Sequence, residues 1–151
     1  MDGLLSTHVE KDGEDATVRI IEMINDCKFK PQLQAVFLDG IAVGGFNVVN
    51  PRAVHKETGV PVVVVIREKP DFGKMFRALK KLGMEKKIDI IKAMPAPEKV
   101  NDVYVQNIGI SNKDTVKLLD ITCTHSYLPE AIRVAHLIAS GVADGQSRGR
   151  A

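Results

Sequence analysis

The chain has 151 residues and a mass of 16.5 kDa, enough for one domain that buries roughly 70% of its unfolded surface. Its 44% hydrophobic and 26% charged residues are ordinary for a water-soluble protein. No apolar run approaches the ~20 residues of a membrane span and nothing near Met1 reads as a secretory signal, so a cytoplasmic protein with no membrane partner is expected.

The formal net charge of +2 hides an asymmetry. Between Arg67 and Lys87 lie eight cationic side chains and three carboxylates, a net +5, which leaves −3 for the rest. A basic segment beside carboxylates suits a polyanion held by its backbone. Aromatics are 5% with no Trp, which argues against base-stacking platforms. Cys27 and Cys123 lack metal-type spacing and read as buried thiols on apolar helix faces.

In chain order, Gly3 to Glu10 alternates weakly and predicts a strand, closed by a Lys11-Asp12-Gly13 turn. A helix follows from near Asp15, with Ile20, Met23, Ile24 and Cys27 on one face and Asp12, Glu14 and Asp15 favouring its positive end. Ala35 to Leu38 is an unbroken apolar run, a strand buried on both faces, with Asp39 at its carboxyl tip. Pro51 to Thr58 predicts a short helix stopped by Gly59, and Val60 to Ile66 a second buried strand ending at Arg67 and Glu68. From Asp71 runs a third helix with Phe72, Met75, Phe76 and Leu79 as its core stripe. Ile88 to Met94 reads as a strand, the Met94-Pro95-Ala96-Pro97 stretch as a loop, and Val100 to Gln106 as another strand. Ser111 with Asp114 forms a capping box ahead of Val116, Leu119 and Cys123. Leu128 to Ser140 is the last helix. Residues 1–140 then form one α/β domain, and the small, polar residues 141–151 a loosely held tail.

In an open α/β sheet ligands sit at the carboxyl ends of the strands, so the charged tips at Asp39 and Arg67 mark one candidate site. Gly44-Gly45 belongs to neither dinucleotide nor P-loop signature, and GxSxG, CxxC and HExxH are absent. His8, His55, His125 and His136 are scattered.

The segment LDGIAVGGFNVVNPRAVHKETGVPVVVVIRE, from Leu38, resembles the part of endonuclease V in which a strand ends in Asp-Gly. Ile110 to Ala139, ISNKDTVKLLDITCTHSYLPEAIRVAHLIA, resembles that family's ending, with its Leu-Pro-Glu, Arg and Ala-His elements. Nearly the whole chain is similar to the endonuclease dU family, small archaeal-type proteins related to endonuclease V. That resemblance implies a ribonuclease H-like mixed sheet flanked by helices. It also implies a Mg²⁺-dependent (or Mn²⁺-dependent) endonuclease acting on DNA with uracil or another deaminated base. Asp15, or Glu14 in the alternative register, and Asp39 correspond to metal-holding catalytic carboxylates and His136 to the functional histidine of the last helix. Gly40, Asn47, Arg52, Arg67, Lys69, Lys74 and Arg77 are the expected nucleic-acid contacts. Against the family pattern the chain starts inside the third strand, without the leading strands and their aspartate; Ala131 replaces a Pro of the Pro-Glu-Pro turn. Two expectations follow: a homo-oligomer completed by strand exchange, with a fold closed within one chain by upstream residues as its alternative, and, as the alternative function, a non-catalytic nucleic-acid-binding or structural protein that keeps the fold.

Overall fold

The computed structural model describes residues 3–147. Its sheet is built around β4 (Val62–Ile66), whose consecutive valines are buried on both faces. Parallel to β4 on one side lies β1 (Val36–Asp39), and antiparallel on the other is β6 (Val103–Ile108), followed by β5 (Glu98–Val100), giving the order β1-β4-β6-β5. A separate two-stranded hairpin joins β2 (Ala42–Val43) to β3 (Asn47–Val48). Because strand side chains alternate, Val62 and Val64 enter one core and Val63 and Val65 the other.

Helices cover both faces, as a sheet without a wet side requires. The first face carries α1 (Ala16–Asn25), α2 (Pro51–Thr58), α3 (Phe72–Lys81) and α4 (Lys86–Lys92), through Ile20, Val54, Leu79 and Ile91. The second carries α5 (Asn112–Thr122) and α6 (Glu130–Asp144), through Leu119 and Ile132. Local signals start and stop these helices. Asn50, Asp71 and Ser111 accept the backbone N–H three residues on, Pro51 takes the first position of α2, and Gly59 ends it at φ +75°. No helix among the described residues is long and apolar enough to cross a membrane. The architecture is a mixed α/β fold with a mixed sheet flanked by helices, as the sequence predicts.

Five expectations about elements are corrected. Gly3 to Glu10 is not a strand: it runs without a ladder partner, and Leu4 and Leu5 are exposed. Ile88 to Met94 is not a strand: Ile88 to Lys92 is helical in α4, because Ile88 and Ile91 fall on one buried helix face; their β-branched character suggested a strand. Val100 to Gln106 is not one strand. Asn101 takes φ +52°, which an asparagine tolerates, and with Asp102 turns the chain between β5 and β6. The last helix continues to Asp144, with Gly145 at φ +72° as its terminator, so the tail does not begin at Gly141; residues 148–151 lie outside those described. Cys27 and Cys123 sit past the last helical residues and are half-buried free thiols rather than members of a helix face; burial, then Asp120, pushes the Cys123 thiol up from its ordinary value.

Candidate active site

The parallel pairing of β1 and β4 brings their carboxyl ends to one edge of the sheet, with Asp39 opposite Val65. Arg67 leaves the end of β4 and its Nη2 donates to Asp39 Oδ2 at 2.8 Å. From α6, which packs on β1, His136 places Nδ1 4.0 Å from the same carboxylate oxygen. The side chains of Asp39, Arg67 and His136 are 36%, 31% and 42% exposed, so the cluster is an open surface site in contact with solvent. A half-exposed ion pair contributes on the order of 1 kcal/mol at most, so the pair orients these groups more than it stabilises the fold. Gly40 follows at φ +79° and donates its N–H to Val65, a left-handed turn that a β-carbon would strain. It turns the chain away directly behind the carboxylate.

Asp15 belongs to a different network. Asn47, fully buried, donates from Nδ2 to Asp15 Oδ1 (2.6 Å) and to the Glu10 carbonyl (2.9 Å), and its Oδ1 accepts the Ala16 N–H (3.1 Å). The cap of α1 thus comes from the β2–β3 hairpin, while Asp15 accepts the Glu10 N–H instead of capping. The Asn47 amide, followed by the Glu10 N–H and the Arg19 guanidinium, holds the Asp15 carboxyl below the usual carboxylate range against the opposing effect of partial burial. Asp12 accepts the Phe46 N–H at 2.7 Å, and Lys87, only 5% exposed, donates to the carbonyls of Asp12, Gly13 and Phe46, each at 2.8 Å. No sequence pattern announced Lys87 or Asp12 as members of this lock.

The two expected metal-holding carboxylates are engaged in separate networks, Asp39 with Arg67 and His136, and Asp15 with Asn47 and the Glu10 N–H. Among the described residues no group of three or more His, Cys, Asp or Glu side chains is placed to hold a metal ion. Asp39 faces a guanidinium and an imidazole, and Asp15 is occupied by Asn47. This donor set does not fit a resident Mg²⁺ or Mn²⁺, which takes several oxygen ligands around one point.

One expected nucleic-acid contact is corrected by its placement: Asn47 has no exposed surface. Arg52 is exposed, and its Nε donates to the Ala93 carbonyl just past the end of α4 (2.8 Å). Lys69, Lys74 and Arg77 are exposed, and so are Lys80, Lys81, Lys86 and Lys92; none of the seven makes a salt bridge among the described residues. At the start of α6 Arg133 clasps Glu130 with two hydrogen bonds of 2.8 and 2.6 Å, and His125 stands 3.5 Å away.

A mixed sheet covered by helices, with an Asp-Arg-His cluster at the carboxyl ends of its parallel strands, defines the class: an α/β protein whose candidate site lies at the strand edge where such sheets place ligands. The chain belongs to the Endonuclease dU family, whose pattern matches residues 1–143. It is similar to UPF0215 proteins of archaea. The relative from Methanothermobacter thermautotrophicus is 42% identical over all of this chain and 76% of its own length; that from Methanosarcina barkeri is 43% identical over all of this chain and 80% of its own. A crystal structure of a protein of unknown function from Archaeoglobus fulgidus superposes with a TM-score of 0.87 at 36% identity, covering 90% of this chain and 79% of that one.

Proposed function

We propose that the chain is an endonuclease, on a ribonuclease H-like scaffold, that cleaves phosphodiester bonds in DNA bearing uracil or another deaminated base. The observation that carries this reading is the convergence of Asp39, Arg67 and His136 at one strand edge; membership of a family described as Endonuclease dU supports it. Asp39 uses one oxygen to fix Arg67, whose remaining N–H donors are directed at an incoming phosphate. His136 is the member whose residue type changes charge near neutral pH, which suits it to give or take a proton on the scissile group. The seven unpaired cations from Lys69 to Lys92 supply an attractive surface for the rest of the backbone.

The test is nicking of a uracil- or inosine-containing duplex against an undamaged one, in Mg²⁺, in Mn²⁺ and in EDTA. Cleavage confined to the damaged duplex is expected, reduced at least 100-fold in Asp39→Ala and His136→Ala. The second reading, a non-catalytic nucleic-acid-binding protein, is favoured by the donor set that does not fit a resident metal. It predicts salt-sensitive binding with the strand left intact, and any cleavage lost in Asp39→Ala eliminates it.

A further inference from the structure

The basic face carries more than charge. Phe72 and Phe76 stack on α3 with ring centroids 6.0 Å apart and planes inclined by 23°, and both are only partly buried. Lys92 Nζ stands 5.7 Å from the Phe76 centroid, a cation–π distance. The two rings border a cleft of about 280 Å³ whose other walls include Met94 and Pro97. At its floor lies Gln106, only 2% exposed, with Nε2 donating to the Pro95 carbonyl at 2.7 Å. That bond fixes the orientation of the amide. Around the cleft the exposed cations of α3 and α4 lack ion-pair partners among the described residues. An apolar cleft bordered by two aromatic rings, with a fixed amide and a cationic rim, points to one chemistry. It suits a nucleobase on a polyanionic backbone, since any base offers a π face to stack and polar edges to hydrogen-bond.

We propose that the cleft between α3 and the Met94–Pro97 loop binds an unpaired base of a nucleic-acid strand whose phosphates lie along α3 and α4. The site is separate from Asp39, Arg67 and His136, which stand with α6 on the opposite face of the sheet. The proposal rests on the reading of the chain as a nucleic-acid-binding protein and adds where a base is held.

Fluorescence anisotropy with a labelled single-stranded 12-mer, and with the same strand abasic at its centre, tests it on the unmodified chain. The intact strand is expected to bind about tenfold tighter than the abasic one. Phe76→Leu, which keeps apolar volume and removes the π face, should erase that difference without changing the salt slope. Ala96→Glu, at the exposed rim, should do the same without touching the core. The paired change Lys80→Glu and Lys81→Glu should weaken both strands alike and flatten the salt slope. Equal binding of intact and abasic strands, or a preference untouched by both cleft variants, overturns the base site while leaving nucleic-acid binding standing. Failure of both strands to bind at low salt overturns both.

Discussion

Lys87 carries a cation into the interior, and three carbonyls meet its three donors with none left over. Burying such a group without partners would be prohibitive; with them it ties the turn before α1, the β2–β3 hairpin and α4 together. Asn47 works beside it by joining the same hairpin to Asp15 and Ala16. Lys87→Met, which keeps most of the volume, should therefore destabilise the fold by about 3 kcal/mol, because it leaves buried carbonyls without donors. Urea denaturation checks the size. Hydrogen exchange should show added opening at residues 10–15 and 44–47 rather than throughout the sheet.

The element that delivers His136, α6, is fixed at its start by a polar clasp and along its length by Ile132. The Arg133 guanidinium, then His125, holds the Glu130 carboxyl below the usual carboxylate range against the opposing effect of partial burial. A carboxyl depressed in the folded state binds protons more weakly there than when unfolded. Its stabilisation is thus complete above the unfolded value and is lost as pH falls through the folded one. Tm should fall on acidification from about pH 5 to 3, and Glu130→Gln should show a shallower fall over that window while Asp15 retains its own share. An unchanged slope in Glu130→Gln would remove the clasp from the account of how α6 is held.

At the scale of the molecule the sheet has two edges, β1 paired with β4 alone and β5 with β6 alone; Gly3 to Leu5 runs unpaired beside α6, which packs on β1. One cavity of about 370 Å³ separates that segment from Val134 and Ala135 of α6, and another of about 320 Å³ separates it from Ile24 and Leu33. Open strand edges with apolar flanks pair with other chains. The expected outcome is self-association of this chain through the β1 edge. Light scattering across a range of concentrations should give a mass of at least two chains, and a well-folded monomer throughout would refute it. Leu5→Lys, at an exposed position, should lower the association.

The sequence by itself determined the elements whose signals lie within one turn of chain: the Ser111 and Asp71 caps, the Pro51 to Gly59 helix, and the valine run of β4. It also marked Asp39 and Arg67 as strand tips and, through resemblance, His136. It did not show that these three meet, because their approach depends on the parallel register of β1 with β4 and on the packing of α6. Tertiary structure also put Ile88 to Lys92 into a helix and left Gly3 to Glu10 unpaired, since β-branched residues serve either state and a strand exists only with a partner. It assigned Asp15 to Asn47, from 32 residues away, for the same reason. Hydrogen bonds between distant segments leave no periodic trace in sequence. Only the packed fold decides which carboxylate meets Arg67 and His136 at the strand edge and which is held by Asn47.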